Sequence, residues 1–161
     1  MLWIRGLLFN LGPLVLWGLI PYLLSGSRPL QPDFWRLGWV PLCLGVAVYL
    51  SCFLNFLAAS GTPAPFFTRR MRGLIGEEPG GLVCAGLYRF TRNPMYVGML
   101  LVIFGQALLF ASSAIALYGL GAWLLVHIGV VRVEEPHLRA KHGQAFDEYC
   151  RRVPRWLGLP R

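Results

Sequence analysis

The residues best suited to chemistry lie in the stretch YRFTRNPMYVGMLL, residues 88–101, where a polar segment runs directly into a long apolar one. Arg89 and Arg92 stand just ahead of Asn93 and Pro94. Asparagine is a good helix N-cap, because its side chain can accept a hydrogen bond from a free backbone N–H, and proline is favoured at the first helical position. A helix start therefore explains Asn93 and Pro94. The free N–H groups at such a start also favour an anion.

A helix start does not explain Tyr96 and Gly98. Glycine at position 98 removes a side chain one turn inside the predicted helix, where a ligand or another helix could come close. A pair of carboxylates, Glu134 and Glu135, follows the next apolar segment. Pro136 disfavours helical geometry at Glu135. We therefore expect the Glu135 carboxylate to turn back toward the polar residues that precede the apolar run.

These groups are brought together only if the intervening apolar run folds back on itself. Residues 93–131 carry no charged side chain over 39 residues, and a helix of that length would extend roughly 58 Å. A bilayer core is about 30 Å thick, so the run fits two spans, with a turn at residues 111–113. Counting outward from that turn places both glutamates level with Arg92 and Arg89. Two carboxylates and two guanidiniums then converge at one end of a helical hairpin.

Two interpretations of this convergence remain open. A salt-bridged helix end is common, and a single arginine–glutamate pair at an interface contributes little stability. However, ionisable groups at the edge of a membrane span and facing a bundle more often mark a functional site. The physics alone does not identify the reaction.

Two further charge-free runs, residues 7–24 and 37–59, complete the membrane pattern, and 56% of the chain is hydrophobic. The sequence therefore predicts an all-α, polytopic membrane protein with about four transmembrane helices, followed by a short amphipathic cytoplasmic tail. The predicted helices cover about residues 5–24, 37–59, 94–111 and 114–132.

The net charge of +8 is explained by the predicted topology, because the cationic side chains are distributed as in a membrane protein and do not indicate a nucleic-acid-binding surface. Only Arg28 and Arg36, of fifteen lysines and arginines, fall in the loop between the first two spans. The other thirteen lie on the opposite side, which the positive-inside rule places in the cytoplasm together with both termini. We therefore expect a multi-pass integral membrane protein, in the cell membrane if the source is prokaryotic, that contacts anionic lipids and does not bind nucleic acid.

The chain is organised as a single domain, residues 1–161. It comprises two scaffold spans (1–59), a cytoplasmic connection (60–93), the helical hairpin (94–132) and the cytoplasmic tail (133–161). In the tail, Phe146, Tyr149, Cys150 and Val153 recur at helical spacing, which predicts an amphipathic face, with a break at Gly143 and an end at Pro154. The four cysteines have no metal-binding spacing, so no metal site is predicted.

Three ordered motifs reveal a family resemblance: GLYRFTRNPMYVGMLL (86–101), VRVEEPHL (131–138) and HGQAFDEYCRRVPRWLGLP (142–160). Together they resemble the integral-membrane methyltransferases, which include isoprenylcysteine carboxyl methyltransferases and phospholipid N-methyltransferases. The resemblance covers about half the chain. It implies S-adenosylmethionine as cofactor, bound between the last membrane hairpin and the tail, and a lipid-like substrate that arrives from the bilayer.

The resemblance also implies roles for individual residues. Arg92 and Glu135 are the candidates at the reacting centre. The resemblance assigns substrate binding to Arg89, Tyr149 and Arg152, and the last two also help to close the site. The residues expected at the cofactor are Gly86, Leu87, Tyr88, Asn93, Pro94, Tyr96, Gly98 and Glu134.

The acceptor is not fixed by these motifs. The isoprenylcysteine enzymes usually carry histidine where this chain has Asn93, whereas the tail resembles theirs, and we slightly favour carboxylate O-methylation over phospholipid amine N-methylation. Two different functions compete with methyl transfer. A sterol-reductase-like membrane enzyme would bind NADPH, and a non-enzymatic membrane interaction module would bind no cofactor.

Overall fold

The computed structural model describes residues 12–26, 35–59 and 80–157. No strand occurs within these ranges, which agrees with the predicted all-α class. A 3-10 turn, Gly86–Arg89, precedes the third helix. The helices are α1 (Leu14–Leu24), α2 (Trp35–Ala58), α3 (Pro94–Leu109), α4 (Ser113–Gly129), α5 (Glu135–His142) and α6 (Gln144–Arg152).

Two stretches of helix are long and apolar enough to cross a bilayer. They are Leu37–Ala58, with 22 residues, and the continuous helix Ser113–His142, with 30. The described parts of the other two predicted spans, Leu14–Leu24 and Pro94–Leu109, are shorter apolar helices. Many large apolar side chains on these helices are exposed, as expected for surfaces that lipid would cover. The four-span arrangement as a whole stays a prediction.

The predicted turn between α3 and α4 is confirmed. Ala111 adopts a positive φ of 43°, and the Ser112 hydroxyl accepts a hydrogen bond from the Ile115 N–H at 3.4 Å, capping α4. The predicted end of the fourth helix near residue 132 is wrong, because helix continues through a π-helical turn, Val130–Glu134, into α5.

Glu135 is also helical, with φ −62° and ψ −44°, so the predicted departure from helical geometry at this residue is wrong. Its carboxylate nevertheless faces Arg92, as predicted. In the π-helical turn, the Glu135 N–H bonds to the Val130 carbonyl five residues earlier. This wider turn gives room to the ring of Pro136, which in a regular α-helix would clash with a carbonyl of the preceding turn.

Helix α3 is held against α2 by backbone contact at a pair of glycines. A Cβ atom on Gly45 would lie 2.5 Å from the Gly98 carbonyl oxygen, and one on Gly98 would lie 2.9 Å from the Gly45 carbonyl oxygen. Small residues permit this close approach of two membrane helices. The contact fixes the depth and direction of the first turn of α3, where Asn93 and Pro94 lie.

Helix α1 is docked by two side chains that donate to its backbone. Gln106 Nε2 of α3 donates to the Trp17 carbonyl at 2.8 Å, and the Tyr118 hydroxyl of α4 donates to the Leu16 carbonyl at 2.7 Å. Both acceptors lie in the π-helical part of α1, Leu14–Leu19. The three helices are thus joined by polar contacts in an otherwise apolar packing.

The tail forms two short helices that are separated at Gly143, as predicted. Helix α5 ends at Gly143, which has a positive φ of 54°, and α6 ends at Arg152, two residues before Pro154. The amphipathic face is confirmed. Its buried members, Phe146, Tyr149 and Val153, form a cluster with Leu82, Cys84, Leu138 and Cys150. Residues 60–79 of the predicted connection lie outside the described residues.

Candidate functional site

The start of α3 supplies the first part of the site. Asn93 occupies the N-cap position and Pro94 follows in the first turn, as predicted. The predicted side-chain cap is wrong, because the Asn93 side chain makes no cap hydrogen bond and its Nδ2 instead donates to the Arg155 carbonyl at 2.9 Å. Asn93 is buried, so its side-chain N–H group needs an acceptor, and the Arg155 carbonyl provides one.

An ion cluster joins α3, α5 and the tail. Arg92 Nη1 donates to Glu135 Oε1 at 2.8 Å. Arg155 grips the same carboxylate with two nitrogens, Nε to Oε1 at 2.7 Å and Nη2 to Oε2 at 2.9 Å. The side chains of Glu135 and Arg92 are only 11% and 13% exposed, so the pair is held largely out of water. The predicted convergence of Arg92 with a glutamate is therefore confirmed.

The two adjacent glutamates face different neighbours, because successive helical residues point about 100° apart. Glu134 Oε2 accepts from the Tyr96 hydroxyl at 3.1 Å, on the side of α3. Glu135 faces the arginines. The structure therefore gives each carboxylate a distinct surrounding, one beside a phenol and one between two cations.

The tail crosses the start of α3 as a short segment, Pro154, Arg155 and Trp156, which we call the strap. The Pro154 carbonyl accepts from the Arg92 N–H at 2.9 Å, and the Arg155 carbonyl accepts from the Thr91 hydroxyl at 3.2 Å as well as from Asn93. Three successive residues ahead of α3 therefore bond to two successive carbonyls of the strap. This pairing fixes the strap beside the ion cluster.

Aromatic contacts fix the end of the strap to α4. Trp156 Nε1 donates to His127 Nδ1 at 3.0 Å, and the two rings stack with centroids 6.0 Å apart. Trp123 also stacks on His127, with the two ring centroids 5.5 Å apart. His127 thus holds the end of the strap against α4 through one hydrogen bond and through ring stacking.

Tyr149 and Tyr88 link the tail to the turn that precedes α3. The Tyr149 hydroxyl donates to the Tyr88 carbonyl at 2.7 Å, and both residues are buried. Burial raises the pKa of Tyr149, so its phenol stays protonated and remains a donor. The structure thus places Tyr149 as a tie between the tail and this turn.

Cys150 lies beside the ion cluster. Its Sγ accepts from Arg92 Nη1 at 2.8 Å, and burial raises the pKa of the thiol. The Nε atom of Arg92 is also buried, and it has no hydrogen-bond partner among the residues that the structure describes. A buried donor of this kind is rare in folded proteins and calls for an acceptor that the described part of the chain does not supply.

The remaining predicted residues lie around this centre or away from it. Gly86 has a positive φ of 60°, and a Cβ there would meet Asn55 Nδ2 at 2.6 Å. Leu87 packs against the cluster of Cys52, Tyr88, Met95 and Met99, and Gly98 faces α2. Arg89 and Arg152 are exposed, and Arg152 Nε reaches the Glu148 carbonyl of its own helix at 3.4 Å. The structure does not bring these two arginines into the ion cluster.

The assembled site includes residues that were not among the predicted ones, among them Arg155, Trp156, His127 and Cys150. Arg155 and Trp156 do lie in the closing motif VPRW, so a signal for the strap was present in the sequence. Cys150 enters the sequence pattern only as part of an apolar face. His127 is the one histidine in the charge-free run 93–131, and that isolation could have singled it out.

One of the comparisons with known proteins, the match to a family model, agrees with the family resemblance. The model of the phospholipid methyltransferase family matches residues 36–145. The nickel-cobalt-cadmium resistance protein NccN of Alcaligenes xylosoxydans xylosoxydans is 33% identical over 81 residues, which cover 50% of this chain and 38% of NccN. The cobalt-zinc-cadmium resistance protein CzcN of Cupriavidus metallidurans is 34% identical over 81 residues, which cover 50% of this chain and 37% of CzcN.

The aligned segment thus spans well under half the length of these two curated relatives. No solved structure matches the chain. The family match, in contrast, covers well over half of the chain and includes the start of α3, the hairpin and both glutamates. The chain belongs to the phospholipid methyltransferase family.

Proposed function

We propose that this chain is a membrane methyltransferase that transfers a methyl group from S-adenosylmethionine to a lipid-like acceptor at the cluster of Arg92, Glu135 and Arg155. Family membership supports the reaction class and the methyl donor. The observation that carries the proposal is the largely buried Arg92–Glu135 pair at 2.8 Å, at the start of α3 and inside the matched segment. Ionisable groups enclosed at the edge of a membrane helix are costly to keep and favour a functional role.

The polar groups of the site suit S-adenosylmethionine, which when bound supplies a methyl group activated by its sulfonium. Arg92 Nε is a buried donor without a partner in the described ranges, and it suits a carboxylate or hydroxyl oxygen. Glu134, beside Tyr96, suits an ammonium or a hydroxyl group. We also assign Gly86, Leu87, Tyr88, Asn93 and Pro94 to the cofactor's surroundings by their places in the family motif. Gly98 would act indirectly, by letting α3 approach α2.

Catalysis in such a site consists of holding the acceptor in line with the methyl group and excluding water. The strap and the Tyr149–Tyr88 tie support this role, because they hold the tail against the start of α3 through hydrogen bonds to backbone carbonyls. Arg89 and Arg152 are exposed cations near the ends of α3 and α6, and we assign them to the headgroup of a lipid-like substrate.

The acceptor proposed is a carboxylate on a lipid-like, for example isoprenylated, molecule. An amine acceptor must lose a proton before it attacks, and a nearby carboxylate would have to take that proton. Glu135 is bonded to two guanidiniums, which makes it a weak proton acceptor. A carboxylate acceptor needs only orientation, which an arginine provides. A phospholipid amine is the second candidate, supported by the description of the matching family.

Radiolabelled S-adenosylmethionine and total membrane lipid, incubated with the full chain in lipid nanodiscs, would test the proposal. We expect label in a base-labile methyl ester. Label in a base-stable headgroup would support the amine acceptor instead. Calorimetric titration with S-adenosylhomocysteine and with NADPH distinguishes a methyltransferase from a reductase and from an interaction module. Binding of NADPH alone would indicate a reductase, and binding of neither would favour an interaction module.

A further inference from the structure

The unpaired edge of Arg92 depends on how Arg155 occupies Glu135. A guanidinium and a carboxylate often pair side-on, through two parallel hydrogen bonds. Here Arg155 makes that side-on pair, with Nε on Oε1 and Nη2 on Oε2. Arg92 reaches only Oε1, through Nη1, although its side chain is the more deeply buried of the two arginines.

The consequence appears at Arg92 Nε, which is buried and has no partner within the described part of the chain. Arg155 occupies the edge of Glu135 at which both oxygens can be bonded in parallel, so that Arg92 is left with a single bond to Oε1. Arg92 Nη1 is additionally shared with Cys150 Sγ, which fixes its direction. The arrangement keeps one donor of a largely buried guanidinium unpaired.

The strap holds Arg155 in this position independently of its guanidinium. Its carbonyl accepts from Thr91 and Asn93, and its neighbours bond to Arg92 N–H and to His127. Three of these bonds end on backbone carbonyls of the strap and the fourth is made by the Trp156 side chain, so the Arg155 side chain starts from a backbone that is already held in place. Arg155 is also the rim member of the cluster, with its side chain 33% exposed.

We infer that Arg155 is a positioning residue, which occupies both oxygens of Glu135 and so keeps Arg92 from pairing side-on, leaving Arg92 Nε for an oxygen of the bound ligand. This inference rests on the proposed function for its consequence in catalysis. The hydrogen-bond arrangement itself does not depend on which reaction the chain performs.

The variant Arg155→Lys separates geometry from charge, because an ammonium keeps the positive charge but cannot form the two parallel bonds. Arg151→Lys is the matched control, since Arg151 is an exposed arginine on the last turn of α6. In nanodiscs with ¹⁵N-labelled arginine, the Arg92 Nε–Hε resonance, assigned with Arg92→Lys, reports directly whether Hε is bonded. We expect it to move downfield in Arg155→Lys and to stay unchanged in Arg151→Lys.

Methyl transfer gives the second readout. The single-turnover rate should fall about tenfold or more in Arg155→Lys while affinity for S-adenosylhomocysteine changes much less, because a misplaced Arg92 affects alignment. In a Glu135→Gln background, Arg155→Lys should add no further loss, since it acts through that carboxylate.

An Arg92 Nε–Hε resonance that is the same in wild type and Arg155→Lys would overturn the inference. So would additive losses in the double variant. Failure of the proposed function is a separate result, namely a wild-type chain that neither binds S-adenosylhomocysteine nor transfers methyl, and the resonance measurement still decides the role of Arg155 in that case.

Discussion

Glu135 carries three charge-assisted hydrogen bonds to two arginines of the described part of the chain. One carboxylate accepts from Arg92 and from two nitrogens of Arg155, so its removal leaves two guanidiniums without their anion. The cost of breaking such an enclosed pair comes mainly from the charges left behind. The effect of losing the Glu135 charge on activity can be separated from its effect on folding by a variant that keeps the shape of the side chain.

Glu135→Gln should lower the rate of methyl transfer at least about 100-fold, because Arg92 and Arg155 lose the charge that fixes them. The measurement is the initial rate of label transfer in nanodiscs, with circular dichroism as the check on folding. Glu148→Gln is the control, since Glu148 is exposed on α6 and its carboxylate accepts from Gln144 of the same helix. Equal rates in Glu135→Gln and wild type, in a folded protein, would refute the role given to Glu135.

The indole of Trp156 offers a second test at this scale. Trp156→Phe keeps an aromatic ring on His127 but removes the N–H that donates to His127 Nδ1. We expect a loss of about 1 kcal/mol in unfolding free energy, the usual contribution of one hydrogen bond. Denaturant unfolding in mixed micelles measures it. Trp123→Phe also loses an indole N–H but not this bond, so a larger loss in that variant would contradict the assignment.

How much of the site could be predicted differs between its residues. Arg92 and Glu135 flank a helical hairpin, and counting residues from a turn at 111–113 fixes their relative depth without knowledge of side-chain geometry. Arg155 follows Val153, which is extended, with φ −118° and ψ 126°. An extended segment after a helix has no periodicity that tells which element it will cross. The partner of Asn93 was missed for the same reason.

At the scale of the helices, apolar runs and prolines determine much of the fold. The ends of α2 and the start of α3 follow from the charge-free runs and from Pro94. The π-helical turn Val130–Glu134 could not be predicted, because hydropathy is the same for α and π geometry and the turn depends on how Pro136 is accommodated. That turn keeps Glu134 and Glu135 on one continuous helix.

Gly45 makes the contact between α2 and α3 testable. Gly45→Ala would put a methyl group 2.5 Å from the Gly98 carbonyl oxygen, so the helices must separate, and we expect a loss of about 1–3 kcal/mol. Thermal unfolding in detergent provides the measurement. Gly121→Ala is the control, because a Cβ there meets none of the described residues within 4 Å. A Gly45→Ala protein as stable as the Gly121→Ala protein would show that the two helices are not in backbone contact.

At the scale of the whole molecule, the feature to be decided is which helices cross the membrane. The 16 residues of α3 extend about 24 Å, somewhat less than the roughly 30 Å of a bilayer core. Its neighbour Ser113–His142 is long enough alone. The deep packing of Gly98 against Gly45 nevertheless requires α3 to lie beside α2 along its length, which favours a spanning α3.

Reporter fusions expressed in a bacterial host decide this topology. Alkaline phosphatase, which is active only outside the cytoplasm, should be active when fused after residue 112 and inactive when fused after residue 161. The reason is that thirteen of fifteen cationic side chains lie on the side of both termini in the four-span arrangement. A green fluorescent protein fused at the same two positions should give the opposite pattern. Equal activity at both positions would mean that α4 does not cross the membrane. Activity only after residue 161 would mean that the chain has the opposite orientation. A reversed orientation would place the ion cluster outside the cytoplasm, away from a soluble cytoplasmic cofactor.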